Sequence, residues 1–301
     1  MADFTVDNIV DFDLEQTLEC GQSFHFVKID EKDYALTAFG HFLRVSQKGS
    51  RLIFHNTGRE EYYAIWKNYF DLGRDYKKIK CELLSKDNKL REAIETMSGV
   101  RIMNQEFSEL LMSFIISQNK QIPHIKQIVA ELSKQYGQFK GTVNGIDMYA
   151  FPTIEEMSAI TEQDYRDCKT GFRAPYLLDA ASKLSQNILD ENVLRSISPE
   201  ECEKQLCQIK GVGSKVANCV MLFALGHRSA FPVDVWIKRI MEVLYYEGRD
   251  TPKERISAFA REQFGCLGGY AQQYLFYYGK TMKVGAKRTI SSEAVNNKII
   301  K

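Results

Sequence analysis

No stretch of this sequence approaches the roughly 18 uninterrupted apolar residues that a membrane-spanning helix needs, which excludes a function carried by such spans. The first twenty residues hold no lysine or arginine. They carry Asp3, Asp7, Asp11, Asp13, Glu15 and Glu19 instead, the opposite of a signal or transit peptide. The expectation is a soluble protein that is not secreted: cytoplasmic or at the nucleoid in a prokaryote, nuclear in a eukaryote. An excess of charge is also missing. Forty basic residues meet 39 acidic ones, for a net charge of +1, so the total favours no class of partner. Seven cysteines (20, 81, 168, 202, 207, 219 and 266) contain no C-x-x-C pair, so zinc and iron–sulfur spacing is absent. Without a secretory signal, buried reduced thiols are expected. Internal repeats and low-complexity segments are absent too.

What is present is ordinary globular composition, 44% apolar and 26% charged over 301 residues. That excludes disorder and collagen-like repeats and leaves room for two modest domains. The charge is uneven. Arg74 to Arg91 holds seven basic residues against three acids, and the segment from Lys280 onward holds six against one. Such runs suit nucleic acid but are more often solvated helix faces.

Residues 24–56 read as strands. "FHFVKI", "DYALTAF", "HFLRVSQ" and "RLIFHN" alternate with period two, and short breaks at Asp30–Lys32, Gly40 and Lys48–Ser50 separate them, the pattern of an antiparallel meander. From Glu60 the period becomes helical. Tyr62, Ile65, Trp66 and Tyr69 share one face, as do Leu90, Ala93, Ile94 and Met97 after an Asp87 N-cap. "EFSELLMSFIISQ" is so apolar that its helix belongs at the centre of a bundle. "QIPHIKQIVAELSKQYG" follows, ending at Gly137, and then a looser stretch around Gly141–Gly145. Pro152, Pro175 and Pro199 stand where helices could start. Beyond Glu155 the chain reads as helices of eight to sixteen residues. The predicted fold is α+β: an N-terminal antiparallel β domain with connecting helices (1–95), a mainly helical domain (96–285), and a basic, flexible tail (286–301).

One stretch carries chemistry. A helix from Ser198 or Pro199 leads into Lys210-Gly211-Val212-Gly213-Ser214, and a second helix runs from Ser214 to Leu225, with Gly226 as its cap. Gly211 and Gly213 permit backbone angles closed to other residues, while Val212 plugs the seam between the two helices. The uncovered N–H groups that open the second helix, with its dipole, form an anion site suited to a nucleic-acid phosphate. A dinucleotide fingerprint fails because a helix precedes and position 216 is Val; a P-loop fails because Lys215 follows Ser214. Lys215 sits in a first turn, where the helix dipole disfavours a cation. It is either a phosphate contact or an amine nucleophile that benefits from that field. Downstream, Asp234 in "FPVDVW" opens another helix as an N-cap, and the same carboxylate could stabilise positive charge on a reacting sugar.

Helix, "IKGVGSKVANC", helix and then "FPVDVW" resemble the helix-hairpin-helix (HhH-GPD) DNA glycosylase superfamily. "CGQSFHF" (20–26), "GVRIMNQEFSELLMSFIISQN" (99–119), "GFRAPYL" (171–177) and "AQQYLFYYGK" (271–280) narrow the resemblance to the eukaryotic-type 8-oxoguanine DNA glycosylase/AP lyase, over roughly residues 12–283. The resemblance implies a bifunctional base-excision repair enzyme acting on double-stranded DNA that contains 8-oxoguanine. The Lys at the position of Lys215 would attack the sugar C1′, expel the flipped-out base and form a Schiff base, and β-elimination would then nick the strand. The Asp at the position of Asp234 would assist. The damaged-base pocket would comprise the Gly21 carbonyl, which accepts from the N7–H of the oxidised purine, with Phe276 and Cys219 on the two faces of the base and Gln272 on its Watson–Crick edge. Gly211, Val212 and Gly213 would hold a DNA phosphate.

On the opposite strand, Asn119 matches the residue that fills the vacated space, Phe172 an aromatic wedge, and Arg173 an arginine that reads the orphan cytosine. His124 stands where the family has a second cytosine-reading arginine, and a neutral imidazole lacks the forked donors of guanidinium. Relaxed opposite-base preference is therefore expected. Some superfamily members carry a four-cysteine iron–sulfur cluster after the helical domain. Cys266 is the only cysteine beyond Cys219, so neither cluster nor other metal or cofactor is expected. A monomer with no membrane partner would suffice. Two other readings remain open: a catalytically silent helix-hairpin-helix DNA-binding module, and a glycosylase for alkylated purines.

Overall fold

The structure, a computed structural model, describes residues 2–285; the basic tail expected at 286–301 lies outside them. Five antiparallel strands, β1 (Phe4–Val6), β2 (Phe26–Asp30), β3 (Asp33–Ala38), β4 (His41–Lys48) and β5 (Arg51–His55), pair in the order β1-β5-β4-β3-β2. The period-two pattern sets the faces. Tyr34 pairs with Val45, Leu36 with Leu43 and Val45 with Phe54, and all five side chains are buried on one side of the sheet. Leu14 and Leu18 of α1 (Leu14–Glu19) join them, as do Trp66, Tyr69 and Phe70. The helix that supplies these aromatics contains one π-helical turn, Tyr62–Trp66, and Tyr62 and Trp66 are both buried in the core under the sheet.

Three elements differ from the sequence reading. β1 forms inside the acidic leader because Phe4 and Val6 alternate with polar residues, and it pairs with β5. The stretch around Gly141–Gly145 is a hairpin, β6 (Phe139–Val143) and β7 (Ile146–Tyr149). Its turn is Asn144-Gly145, both at positive φ (48° and 78°), the two-residue combination that favours hairpins. From Ile154 onward, three helices are shorter than eight residues: Ile154–Ser158, Glu162–Asp167 and Glu191–Ser196. Two of them start at threonine capping boxes, Thr153 and Thr161.

The helical body is built round α2 (Phe107–Ser117), nearly every residue of which is buried, as its apolar sequence required. Around it stand α3 (Ile122–Tyr136), α4 (Ala174–Ser185), α5 (Pro199–Leu206), α6 (Ser214–Phe223), α7 (Val235–Tyr245), α8 (Lys253–Phe264) and α9 (Gly268–Thr281). The connecting helices Tyr76–Lys86 and Arg91–Thr96 and the short turn Asn88–Leu90 between them, grouped with the sheet in the expected division at residue 95, bury Ile79, Leu83, Leu90 and Ile94 in this helical core.

Two buried polar side chains join the bodies. Arg101 donates to the carbonyls of Val10, Asp11, Asp71 and Arg74 at 2.7–3.0 Å. Gln22, fully buried, donates to the carbonyls of Thr17 (2.8 Å) and Arg101 (2.7 Å) and accepts from Met103 N–H (2.9 Å). Each is satisfied by backbone groups that would otherwise be buried and unpaired. Gln22 thereby fixes the turn that presents Gly21.

Candidate active site

The hairpin between α5 and α6 is built as the two helices dictate. Ser198 caps α5 by accepting from Glu201 N–H (3.2 Å), and Leu206, Ile209 and Val212 are buried in the seam. Gly211 has φ +75°, and a Cβ there would sit 2.3 Å from the Tyr176 ring of α4, so both backbone angle and packing demand glycine. Gly213 differs from expectation. Its φ of −109° is open to any residue, and an added Cβ would meet nothing within 4 Å. What a side chain there would obstruct is the space in front of α6, whose first turn has no side-chain cap. Asp179 accepts from Lys210 N–H (2.8 Å) and ties the hairpin to α4. The helix α6 ends at Phe223, slightly before the expected Leu225, and Gly226 follows with φ +81°.

Lys215 lies half-buried in that first turn, its Nζ 4.9 Å from the centre of the Phe114 ring. Asp234 is the N-cap of α7, its Oδ1 accepting from Ile237 N–H at 2.8 Å. Both face one cleft of about 900 Å³, whose walls also include Gly21, Phe276 and Asn119. Burial raises the Asp234 carboxyl above its ordinary value, opposed by the Ile237 N–H and by the charge of Lys215. Gly21 has φ +88°, and a Cβ on it would lie 3.2 Å from Phe276 Cε1. The Gly21 turn and the Phe276 ring are therefore in direct apposition across the cleft wall.

Cys219 and Gln272 are buried and do not line the opening. Cys219 sits one helical turn after Lys215, and burial pushes its thiol up to about 11, with Lys215 opposing; it is a neutral SH. Gln272 is not a surface amide. Its Nε2 donates to the carbonyl of Pro232 at 3.3 Å, on the loop that leads to Asp234, while its buried Oε1 has no hydrogen-bond partner. A buried acceptor left open in this way is suited to a ligand donor.

Three site residues suggested by the resemblance lie elsewhere. Phe172 is 54% exposed on the short turn before α4. Arg173, next to it, is buried, and its guanidinium donates to the Gln118 carbonyl (2.8 Å from Nε) and the Thr170 carbonyl (3.1 Å) while stacking on the Phe172 ring. Three of its N–H groups are thus engaged by two backbone carbonyls, which tie the Phe172 turn to the Asn119 turn. His124 is exposed on the other side of α3, outside the cleft.

Sequence reasoning missed Lys253, Lys280 and Trp236, which also line the cleft. Phe276 and Lys280 are four apart on α9, a spacing that puts both on one face. With Lys120 and Lys215, four ammonium groups surround a single carboxylate. A chain of net charge +1 thus concentrates positive charge where an anion would enter. Among the described residues no cluster of three or more His, Cys, Asp or Glu side chains is placed to hold a metal ion.

The family description "8-oxoguanine DNA glycosylase, N-terminal domain" matches residues 6–111, and "HhH-GPD superfamily base excision DNA repair protein" matches residues 112–264. The chain belongs to this superfamily. It is similar to the Clostridium acetobutylicum 8-oxoguanine glycosylase/lyase solved with double-stranded DNA containing cytosine opposite 8-oxoguanine. That similarity has a TM-score of 0.90 and 38% identity, over 94% of this chain and 97% of that one. It is 26% identical to an N-glycosylase/DNA lyase of Arabidopsis thaliana over 87% of this chain and 76% of that protein. A probable N-glycosylase/DNA lyase of Methanothermobacter thermautotrophicus is 27% identical over 74% of this chain and 75% of that protein. No helix among the described residues is long and apolar enough to cross a membrane.

The two hairpin glycines separate folding from anion binding. Gly211→Ala is expected to cost about 1–3 kcal/mol of stability through its backbone angle and the Tyr176 contact. Gly213→Ala should leave the melting temperature nearly unchanged but weaken duplex binding about tenfold by covering N–H groups that would face a phosphate. Thermal unfolding and fluorescence anisotropy measure the two effects; full-affinity binding by Gly213→Ala would contradict the assignment.

Proposed function

We propose that this chain is a bifunctional DNA glycosylase/AP lyase that excises 8-oxoguanine from duplex DNA and then nicks the strand. The observation that carries the reading is the convergence of Lys215 and Asp234 on a cleft whose facing wall is Gly21 against Phe276. The lesion nucleotide must leave the stack, at a cost of a few kcal/mol that the pocket has to offset. In this reading the Gly21 carbonyl accepts the N7–H that only the oxidised purine carries, and Phe276 stacks on the base. The unpartnered Oε1 of Gln272 accepts from the N–H groups of the Watson–Crick edge. Ordinary guanine would set its N7 lone pair against the Gly21 carbonyl and be rejected.

The Lys215 Nζ, having given up a proton, attacks C1′ as the C1′–N9 bond breaks, and the base leaves with the electron pair and takes up a proton. The Asp234 carboxylate stabilises positive charge on the sugar. Loss of a proton from the attached nitrogen and opening of the sugar ring give an imine at C1′. Removal of a C2′ proton then expels the 3′-phosphate by β-elimination. The Cys219 thiol, neutral and one turn after Lys215 on the same helix, lies against the other face of the base in this reading. No metal or other cofactor enters the scheme, and one cleft on one chain makes a monomer sufficient.

The opposite strand is read weakly in this account. Arg173 is held by the Gln118 and Thr170 carbonyls, and the position of His124 offers no guanidinium fork. The alkylated-purine reading has only the distant likeness to 3-methyladenine glycosylases, at 24% identity or less. The DNA-binding-module reading leaves the Lys215–Asp234 pairing without a use.

Three outcomes are expected. Lys215→Gln should abolish borohydride trapping on 8-oxoguanine duplexes and lower turnover more than about 10³-fold while retaining binding; trapping that survives this change excludes Lys215 as the nucleophile. Because burial raises the Asp234 carboxyl above its ordinary value, kcat/KM should fall with decreasing pH along a limb set higher than a free aspartate would give. Asp234→Asn keeps the N-cap and should remove that limb; an unchanged profile argues against Asp234. Excision opposite adenine should come within about tenfold of excision opposite cytosine, one bidentate base contact being worth about 1–3 kcal/mol. A preference for cytosine above about a hundredfold would contradict the weak reading.

A further inference from the structure

Helix α9 stands between two walls of the Lys215 cleft. On one side it packs along the segment that runs through Asp234 into α7: Gln272 reaches the Pro232 carbonyl (3.3 Å), and a Cβ on Gly279 would lie 3.2 Å from Ile240 Cδ1. On the other side Gln273 donates to the Cys20 sulfur at 2.9 Å, and Phe276 meets the Gly21 turn. Phe276 and Lys280, on one face of α9, look into the cleft between these walls. Lys280 is half-buried, and no carboxylate lies within ion-pairing distance of it among the described residues. Burial lowers its amine from the ordinary lysine value; the groups that oppose this are Cys20 beside the Gly21 turn, Asp234 at the start of α7, and Glu19 at the end of α1. An unpaired, partly desolvated ammonium between two binding walls is a state that an acceptor on the ligand would relieve.

The chemistry of the base says which acceptor. In the glycosylase reading, on which this assignment depends, N7–H meets the Gly21 carbonyl and Asp234 stands beside the sugar that N9 carries. C8 is bonded between N7 and N9. Its oxygen, O8, is therefore directed into the space between the Gly21 turn and Asp234, which is where Lys280 stands. Ordinary guanine has only a C–H there. Of the four lysines on the cleft, Lys280 alone belongs to the helix that carries Phe276; Lys120 follows Asn119, Lys215 lies in the first turn of α6, and Lys253 opens α8.

We propose that Lys280 reads the oxygen that defines the lesion: its ammonium donates a hydrogen bond to O8 of the flipped base and holds the negative charge that collects there as the base leaves. When the C1′–N9 bond breaks, its electron pair passes to N9 and spreads through C8 onto O8. Lys280 remains an ammonium throughout, and the proton that finally neutralises the base comes from water. A donor aimed at the atom where charge develops acts most strongly in the transition state. Guanine would leave the ammonium desolvated and unpaired, a penalty that adds to the repulsion of its N7 by the Gly21 carbonyl.

The test uses the full chain, as wild type and as Lys280→Met, which keeps the length of the side chain and removes its charge and donors. Anisotropy measures affinity for three duplexes. Two carry 8-oxoguanine or guanine on a 2′-fluoro-arabino sugar, whose fluorine disfavours positive charge at C1′ and stalls excision; the third carries a tetrahydrofuran abasic analogue, which has no base. Wild-type protein should prefer 8-oxoguanine to guanine, and Lys280→Met should reduce that preference about tenfold. Affinity for the tetrahydrofuran duplex should change by less than about twofold, since no phosphate contact is lost. Single-turnover excision of 8-oxoguanine from the unmodified sugar, at saturating protein, should slow about 10²-fold. Thermal unfolding checks the fold of the variant, and Lys280→Gln replaces it if the fold is destabilised.

A folded variant that keeps the full preference for 8-oxoguanine would overturn the proposal and leave the base pocket as described. Equal losses on all three duplexes would overturn it as well, by making Lys280 a phosphate contact. Failure of the glycosylase reading has a different signature: the wild-type protein itself would not distinguish 8-oxoguanine from guanine, and the assignment of Lys280 to O8 would fall with it.

Discussion

Four helices, α3, α6, α7 and α8, begin at the same cleft, and the proposed chemistry depends on the convergence of α6 and α7. The first turn of α6 carries Lys215 with no capping side chain, and α7 starts at Asp234. Each helix dipole points its positive end inward. The field is therefore unfavourable to an ammonium and favourable to a carboxylate or a phosphate. In the proposed reading the lysine placed here is the amine that reacts. The Asp234 carboxylate, already committed to a backbone N–H, offsets part of the field without filling the cleft.

The rest of the fold serves to hold these two helix starts opposite Gly21 and Phe276. Gly211 fixes the approach of the hairpin against Tyr176. Gln272 links α9 to the loop before Asp234, and Gln273, its neighbour, donates to the buried Cys20 sulfur at 2.9 Å. Gln22 then fixes the turn after Cys20 through backbone partners near Met103. A path of buried amides thus runs from the sheet side to the loop before Asp234. Each amide is costly to leave unsatisfied, so the geometry is specified by polar contacts as well as by packing.

Much of this was legible from residue order alone. Period-two runs gave four of the five sheet strands, and the extreme apolarity of α2 gave its central place. The hairpin, Lys215 and Asp234 were legible because helix signals and glycine stand at fixed spacing. What was not legible had definite causes. A three-residue edge strand such as β1 has too short a pattern to register, and the Asn144-Gly145 turn was passed over in a stretch without long apolar runs. Lys253, Lys280 and Trp236 come from three separate helices, and nothing local marks them as neighbours. Arg173 could be matched by motif, but its engagement with the Gln118 carbonyl is a tertiary fact. Gly213 taught the reverse lesson: its importance lies in the space it leaves, not in its backbone angle.

Four lysines line the cleft, and only one of them stands in the first turn of α6. The most direct test is to reduce the covalent intermediate with borohydride, digest the protein and locate the deoxyribose adduct by mass spectrometry. The account predicts the adduct on the peptide containing Lys215 and on no other. An adduct on Lys120, Lys253 or Lys280, or none on any lysine during active excision, would contradict it.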